Sequence, residues 1–302
     1  MKIFIDSADL DEIRQACEWG VIDGATTNPS LIKKAVEKRG GRINMEDYIK
    51  EILRTVPGPV SLEVIAVRAE EMVAQARILY KKFSPYGEVA IKIPVNPSLS
   101  DDDGLDFDGL KAIRKLSKDG IPVNCTLVMT PEQAILAAKA GATYVSPFAG
   151  RIDDYIRAKM GMKINIDYKK EDYFDYSLLN KIWDLKFNEQ VSEYRSIVDA
   201  YKSRDVKVLS HMIHDNGIIS GVDLVAKIVK IFKIYGFKAQ VIASSIRNAR
   251  QVREAAEAGA DIITMPFEVI REMARHPKTF EGMRDFMADV IPQYREIFEH
   301  NE

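Results

Sequence analysis

The sequence predicts an α/β fold, a single (β/α)8 TIM barrel spanning residues 1–302, and three observations carry that expectation. Eight short, apolar, β-branched runs alternate with longer amphipathic segments, which is the pattern of βαβ units around a parallel sheet. Gly20, Gly120, Gly141, Gly236 and Gly259 each stand where a helical segment stops and the next strand approaches. A length of 302 residues suits one α/β barrel as well as two smaller domains, and the eightfold rhythm favours the barrel.

The predicted strands run over 2–6, 24–28, 60–65, 89–94, 123–128, 144–148, 240–244 and 261–265. Segments of helical period separate them, at 9–19, 46–54, 69–83, 107–118, 131–140, 221–235, 248–258 and 267–275. Two stretches fall outside this rhythm. Residues 153–210, after the sixth strand, carry Tyr155, Tyr168, Tyr173, Trp183 and other aromatics among many charges, too aromatic for disorder, so a helical insertion is expected. A connection leaving a strand in this topology emerges on the C-terminal face of the barrel, so the insertion either covers the site there or serves as a peripheral subunit contact. After the eighth helix, an extra C-terminal helix at 281–299 is expected, with Met283, Phe286, Met287, Val290, Ile291, Tyr294, Ile297 and Phe298 in an apolar stripe interrupted by Pro292. That face must be buried on its own barrel or on a neighbouring subunit.

Composition narrows the function classes. The chain is 46% hydrophobic and 29% charged, with 43 basic and 45 acidic residues and a formal net charge of −2. This balance argues against nucleic acid or an anionic membrane as partner, since both need concentrated Lys and Arg, and favours small molecules. The start, Met1 to Asp6, becomes charged too early for a signal segment, and no apolar run approaches the length of a membrane span, so a cytoplasmic location is expected. Cys17 and Cys125 have no metal-ligand spacing and read as apolar fillers.

Strands of a parallel barrel are covered on both faces, so each polar residue near a C-terminal strand end demands a reason. Asp6 ends the first strand; Thr26 and Asn28 share a face at the end of the second; Glu63 follows on the third; Lys92 interrupts Val89-Ala90-Ile91-Lys92-Ile93-Pro94. Asn124 and Thr126 share a face on the fifth strand, Ser146 and Phe148 on the sixth, and Ser245 follows the seventh. Period-two geometry lets these point inward together. Each also has an ordinary explanation: Asn28 before Pro29 as a turn former, Asp6 or Ser7 as a helix cap, Thr126 as a common strand residue.

Lys92 is the sharpest of these signals. An ammonium enclosed by apolar neighbours loses hydration, which favours the neutral, nucleophilic amine that Schiff-base chemistry on a carbonyl requires. The alternatives are a buried ion pair with Glu63 or Asp6, or a lysine pointing outward between helices. Arg151 and Arg247, after the sixth and seventh strands, would form a dianion site with Ser245 and loop amides, suited to a phosphorylated substrate; surface ion pairing is the alternative. Other patterns are weaker. His211 and His214 have ligand-like spacing but no third ligand nearby, His276 and His300 being distant, so no metal is expected. Asp101-Asp102-Asp103 reads as a solvated charge run, and neither GxGxxG nor GxxxxGK[ST] occurs, which leaves nicotinamide and P-loop nucleotide chemistry unsupported.

With these residues assembled, the chain resembles the transaldolase family of class I aldolases, especially its small-subunit branch, which includes the fructose-6-phosphate aldolases. The motifs follow in order: Phe4-Ile5-Asp6-Ser7-Ala8, Thr26-Thr27-Asn28-Pro29-Ser30, Ser61-Leu62-Glu63-Val64, Ile91-Lys92-Ile93-Pro94, Asn124-Cys125-Thr126-Leu127, Ser146 to Asp153, and Ser244-Ser245-Ile246-Arg247-Asn248. They cover most of the chain outside the insertion and the extra length at 37–46. The resemblance implies that Lys92 forms the imine with a ketose C2 carbonyl, that Asp6 takes the C4 hydroxyl proton, and that Glu63 and Thr126 position a water. It implies that Asn28, Asn124 and Ser146 hold the dihydroxyacetone hydroxyls, with Thr26 and Phe148 beside them, and that Arg151, Ser245 and Arg247 clamp phosphate. It implies sugar phosphate substrates, a homo-oligomer, and no metal or organic cofactor. Glu63 and Phe148 stand where the aldolase branch typically carries Gln and Tyr, which favours a transaldolase over an aldolase releasing free dihydroxyacetone. A barrel that binds sugar phosphates without turnover is the third reading, and the conjunction of Lys92, Asp6 and Glu63 speaks against it. No residue of the insertion is singled out for contact with substrate.

Overall fold

A computed structural model describes residues 1–41 and 43–299, the side chain of Glu299 excepted; His300 lies outside the described residues. Eight parallel strands close into a barrel in sequence order, with β1 (Lys2–Asp6) returning to pair with β8 (Ile262–Met265). Between them come β2 (Gly24–Thr26), β3 (Val60–Glu63), β4 (Val89–Pro94), β5 (Val123–Val128), β6 (Tyr144–Pro147) and β7 (Gln240–Ala243). Strands two, three, six and seven stop one or two residues before the apolar patterning does. The residues at the mouth leave the ladder to cap helices or turn: Asn28, for example, accepts from the Leu31 amide at 3.0 Å and caps α2 (Pro29–Lys38). That helix, absent from the sequence expectation, begins where Asn28 and Pro29 meet both requirements of a helix start.

Inside the barrel, Phe4, Ile242 and Ile262 pack with Tyr144 and fill the N-terminal half. Residues two positions further along the same faces, Asp6, Ser244 and Thr264, therefore lie in the polar C-terminal half. Outside, the shell consists of α1 (Leu10–Glu18), α2, α3 (Met45–Thr55), α4 (Ala69–Phe83), α5 (Asp108–Lys118), α6 (Pro131–Ala140) and α7 (Ala149–Lys159). It is completed by α11 (Gly221–Tyr235), α12 (Ala249–Glu257) and α13 (Phe267–Met273). Helices and strands share one apolar core in which Ile5, Leu10, Ile91, Ile113, Leu116 and Leu224 are fully buried.

The insertion begins later than its composition suggests. Residues 153–159, which read as its opening, belong to α7, whose inner face buries Ile152, Asp153, Ile156 and Arg157. Asp153 accepts from the Gly221 amide at 2.7 Å and Gln251 Nε2 at 2.6 Å, tying α7 to α11 and α12, and burial pushes its carboxyl up to about 7. Beyond α7 the chain makes a strap at 160–175 and then α8 (Tyr176–Ser192), α9 (Ile197–Lys202) and α10 (Arg204–Ser210). Leu179 and Trp183 anchor α8, the indole donating to the Leu209 carbonyl at 3.1 Å. At the C-terminus, the expected single helix is two, α14 (Pro277–Ala288) and α15 (Pro292–Glu299), broken before Pro292 as its missing amide dictates. Among the described residues, no helix is long and apolar enough to cross a membrane.

Candidate active site

Parallel register brings the polar strand residues together. Glu63 lies opposite Lys92, and Lys92 opposite Asn124; Asp6 lies opposite Thr26. Lys92 is 4% exposed, faces the barrel interior rather than the helices, and donates to the Thr27 carbonyl at 3.1 Å. Its Nζ is 3.5 Å from Glu63 Oε2. An ion pair and an amine facing a cavity are thus both present.

The two carboxylates near Lys92 share a direction of shift. Burial raises Asp6 above its ordinary value, against the pull of Lys92, the Thr26 hydrogen bond and Arg247. Burial likewise raises Glu63, against the attraction and hydrogen bond of Lys92, with Asp6 adding to the rise. Thr26 Oγ1 donates to Asp6 at 2.6 Å and, with its proton so used, accepts from Thr264 Oγ1 at 2.6 Å. This leaves Asp6 oriented by a relay of two buried hydroxyls. On the other side, Ser146 Oγ donates to Asn124 Oδ1 at 2.7 Å and Asn124 Nδ2 donates to Ser61 Oγ at 3.0 Å, a fully enclosed chain beneath Lys92. Thr126 Oγ1 is buried without a partner among the described residues, a polar atom that burial makes costly unless a small polar group reaches it.

A cavity of about 160 Å³ opens above this layer. Asp6, Thr26, Asn28, Lys92, Phe148, Arg151, Ser245 and Arg247 all line it. Eight of the twelve residues expected from the sequence therefore line one cavity; Glu63, Asn124, Thr126 and Ser146 stand outside its lining. Ser245 holds φ +60°, a left-handed conformation unusual for a residue with a side chain and the kind of strain found at functional turns. Its turn is held by α7, whose first amides at Ala149 and Gly150 donate to the Ser244 and Ser245 carbonyls at 2.9 and 3.1 Å. Glycine is required at 150 because a Cβ there would lie 2.2 Å from the Ser245 carbonyl oxygen and 2.4 Å from Arg247 Nε. The Arg247 guanidinium pairs with Asp154 at 3.1 Å, and its Nε is buried with no partner among the described residues. Arg151 is exposed and lies over the Phe148 ring at 5.1 Å.

Sequence reasoning passed over Thr264, Ser61 and Ser244, although each is a polar residue in an apolar strand or directly after one and obeys the rule that singled out the others. It also passed over Lys170, which lines the cavity from the insertion and left no local signal. The patterns read as weak have local roles. His211 and His214 meet edge to face at 5.2 Å, His214 Nδ1 accepts from the Gly217 amide, and no metal-holding cluster occurs among the described residues. Asp103 organises its loop by accepting from Ser98, Leu99, Ser100 and Leu105, which holds its carboxyl at about 2. Cys125 is fully buried and Cys17 half-buried, and burial pushes both thiols up.

The family model described as Transaldolase/Fructose-6-phosphate aldolase matches residues 3–301. Among curated relatives, a probable transaldolase of Anaeromyxobacter sp. (strain K) is 38% identical over 289 residues, covering 96% of each chain. Probable transaldolases of Thermoplasma acidophilum and Herpetosiphon aurantiacus are 38% identical over 290 residues and 36% over 300, covering 96% and 99% of this chain and 95% and 99% of theirs. A match of this extent, on a barrel that carries a buried lysine between two carboxylates at its mouth, assigns the chain to the transaldolase/fructose-6-phosphate aldolase family.

Proposed function

We propose that this protein is a transaldolase that moves a dihydroxyacetone unit between sugar phosphates through an imine on Lys92. The observation that carries the proposal is the juxtaposition of a nearly inaccessible amine with Asp6 across one small cavity and with Glu63 at 3.5 Å. Glu63 takes the ammonium proton in this reading, which its 3.5 Å approach to Lys92 supports, and so frees the nitrogen lone pair to attack the ketose C2 carbonyl. Loss of water from the resulting carbinolamine forms the imine, and Thr126, whose hydroxyl has no partner among the described residues, supports a reading in which Glu63 and Thr126 position that water. Asp6 then takes the C4 hydroxyl proton as the C3–C4 bond breaks. The bonding pair passes into the iminium to leave an enamine, and the aldose product departs. Attack of the enamine carbon on an acceptor aldehyde, with Asp6 returning the proton, and hydrolysis of the imine complete the transfer.

Asn28, Asn124 and Ser146 suit the dihydroxyacetone hydroxyls, Thr26 holds Asp6, and Arg151, Ser245 and Arg247 suit a phosphate. The partners are thus sugar phosphates: fructose 6-phosphate and erythrose 4-phosphate exchanging with sedoheptulose 7-phosphate and glyceraldehyde 3-phosphate. These steps use no metal or organic cofactor. Phe148 puts a ring without a hydroxyl on the cavity wall, which supports retention of the enamine for an acceptor over release of free dihydroxyacetone. Two free thiols suit a cytoplasmic location, and the exposed apolar residues of α14 and α15 suit a homo-oligomer.

The test measures glyceraldehyde 3-phosphate released from fructose 6-phosphate, with and without erythrose 4-phosphate. Turnover that depends on the acceptor, loss of at least about a thousandfold in Lys92→Ala, and a borohydride-reduced adduct confined to Lys92 are expected. Sustained release without acceptor would instead make the enzyme an aldolase.

A further inference from the structure

We propose that Lys170 is a phosphate-binding, specificity-determining residue, laid by the insertion over the Arg151 and Arg247 end of the cavity as a cation the barrel's own loops do not supply. The inference rests on the phosphate reading of Arg151, Ser245 and Arg247 and extends that site to a segment outside the barrel.

Position is the first support. Lys170 lines the cavity that holds Asp6 and Lys92, and also a second cavity of about 480 Å³ bordering it. The two share Asp6, Lys170, Arg247 and Pro266, so Lys170 stands where the inner pocket opens into the outer one.

Construction is the second. Lys170 sits in a tight turn closed by the Asp172 amide on the Lys169 carbonyl at 3.0 Å and by the Lys169 amide on Asp172 Oδ2 at 2.8 Å. The chain on either side is fastened to the barrel. Buried Arg157 donates to the Asp172 and Tyr173 carbonyls at 3.1 and 3.0 Å, with its guanidinium over the Tyr168 and Phe174 rings at 4.2 and 5.1 Å. Asn248 Nδ2 donates to the Glu171 carbonyl at 3.1 Å, and the Tyr173 hydroxyl donates to Glu254 at 2.8 Å. A strap tied down at Tyr168 on one side of Lys170 and at residues 171–174 on the other fixes where the lysine projects.

Charge is the third. Arg247 holds the Lys170 ammonium below the ordinary lysine range, partial burial and the charges of Lys34 and Arg151 push the same way, and Asp154 opposes them. Asp154 is already engaged by Arg247 at 3.1 Å and by the Tyr168 hydroxyl at 3.3 Å. A dianion between these cations relieves their repulsion and gains charge-assisted hydrogen bonds.

Inorganic phosphate titrated calorimetrically into the full-length protein, its Lys170→Met variant and its Lys170→Arg variant tests the inference directly. Lys170→Met is expected to weaken phosphate about tenfold and to lower the kcat/KM ratio of erythrose 4-phosphate over erythrose by about the same factor, with Lys170→Arg retaining most of both. Unchanged phosphate affinity in Lys170→Met, or an equal loss with both acceptors, overturns it. Failure of the transaldolase reading is read separately, as absence of a Lys92 adduct with unphosphorylated dihydroxyacetone in the unaltered protein.

Discussion

Asp6 owes its properties to what surrounds it rather than to what it is. It ends a strand whose preceding residue is fully buried, accepts a hydrogen bond from Thr26, and feels Lys92 and Arg247, yet burial outweighs all three and raises its pKa above the ordinary 3.8. In the proposed mechanism Asp6 must be ionised to accept the C4 hydroxyl proton, so kcat/KM is expected to fall as pH drops through the Asp6 pKa, and raising that pKa moves the acid limb to higher pH. Asp6→Asn is expected to lower kcat by about 10² to 10⁴-fold and to remove the limb from the pH profile. Glu63 is raised for the same reason, so Glu63→Gln is the control: a limb retained in Asp6→Asn but lost in Glu63→Gln would assign the titration to the wrong carboxylate for this mechanism.

Helix α7 does for the site what no single residue does. Its first amides hold the Ser244 and Ser245 carbonyls, its Arg151 and Asp154 face the cavity and Arg247, and its buried Asp153 and Arg157 fasten α11, α12 and the strap. All of this depends on α7 approaching the end of β7 closely, which the missing side chain of Gly150 allows. Gly150→Ala would drive a methyl into the Ser245 carbonyl. The variant is expected to lose about 1–3 kcal/mol of stability, seen as a melting temperature lower by several degrees, because overpacking against backbone cannot relax as a flexible side chain would. It should also raise KM for phosphorylated substrates, since the turn that carries Ser245 and Arg247 must shift. A wild-type melting curve would show that the gap at Gly150 is dispensable.

At the scale of the whole molecule, the C-terminal helices leave their apolar stripe uncovered. Met283, Phe286, Met287, Ile291, Tyr294, Ile297 and Phe298 are each more than half exposed, beside Phe280 and the half-exposed Trp19. Of the two ways to bury that stripe, its own barrel does not provide one, and a patch of this kind marks an interaction surface. Replacing Met283 and Phe286 with Glu is therefore expected to reduce the sedimenting mass from an oligomer to a single chain while the far-ultraviolet spectrum stays unchanged. Sedimentation of the unaltered protein as a monomer at micromolar concentration would remove the basis for the homo-oligomer.

Much of the barrel was legible before any coordinates, because a strand buried on both faces must be apolar and period-two, so Lys92 within Val89-Ala90-Ile91-Lys92-Ile93-Pro94 marks both the strand and the exception to it. The same rule pointed to Asp6, Thr26 and Asn124, and by itself would have reached Thr264 and Ser61. What sequence could not decide were quantities that depend on register and on distant chain: that Glu63 meets Lys92, that Thr264 closes the relay to Asp6 from the other end of the chain, and that residues 153–159 belong to the barrel shell rather than to the insertion. Lys170 is the clearest case. Nothing in its own neighbourhood of charged residues separates it from Lys163 or Lys169, and it reaches the cavity only because Arg157, Asn248 and Glu254, from α7 and α12, fasten the strap around it. Local pattern records the solvent a residue will meet, which composition and period encode; which partners it meets is set by closure of the barrel, and closure is a property of the whole chain.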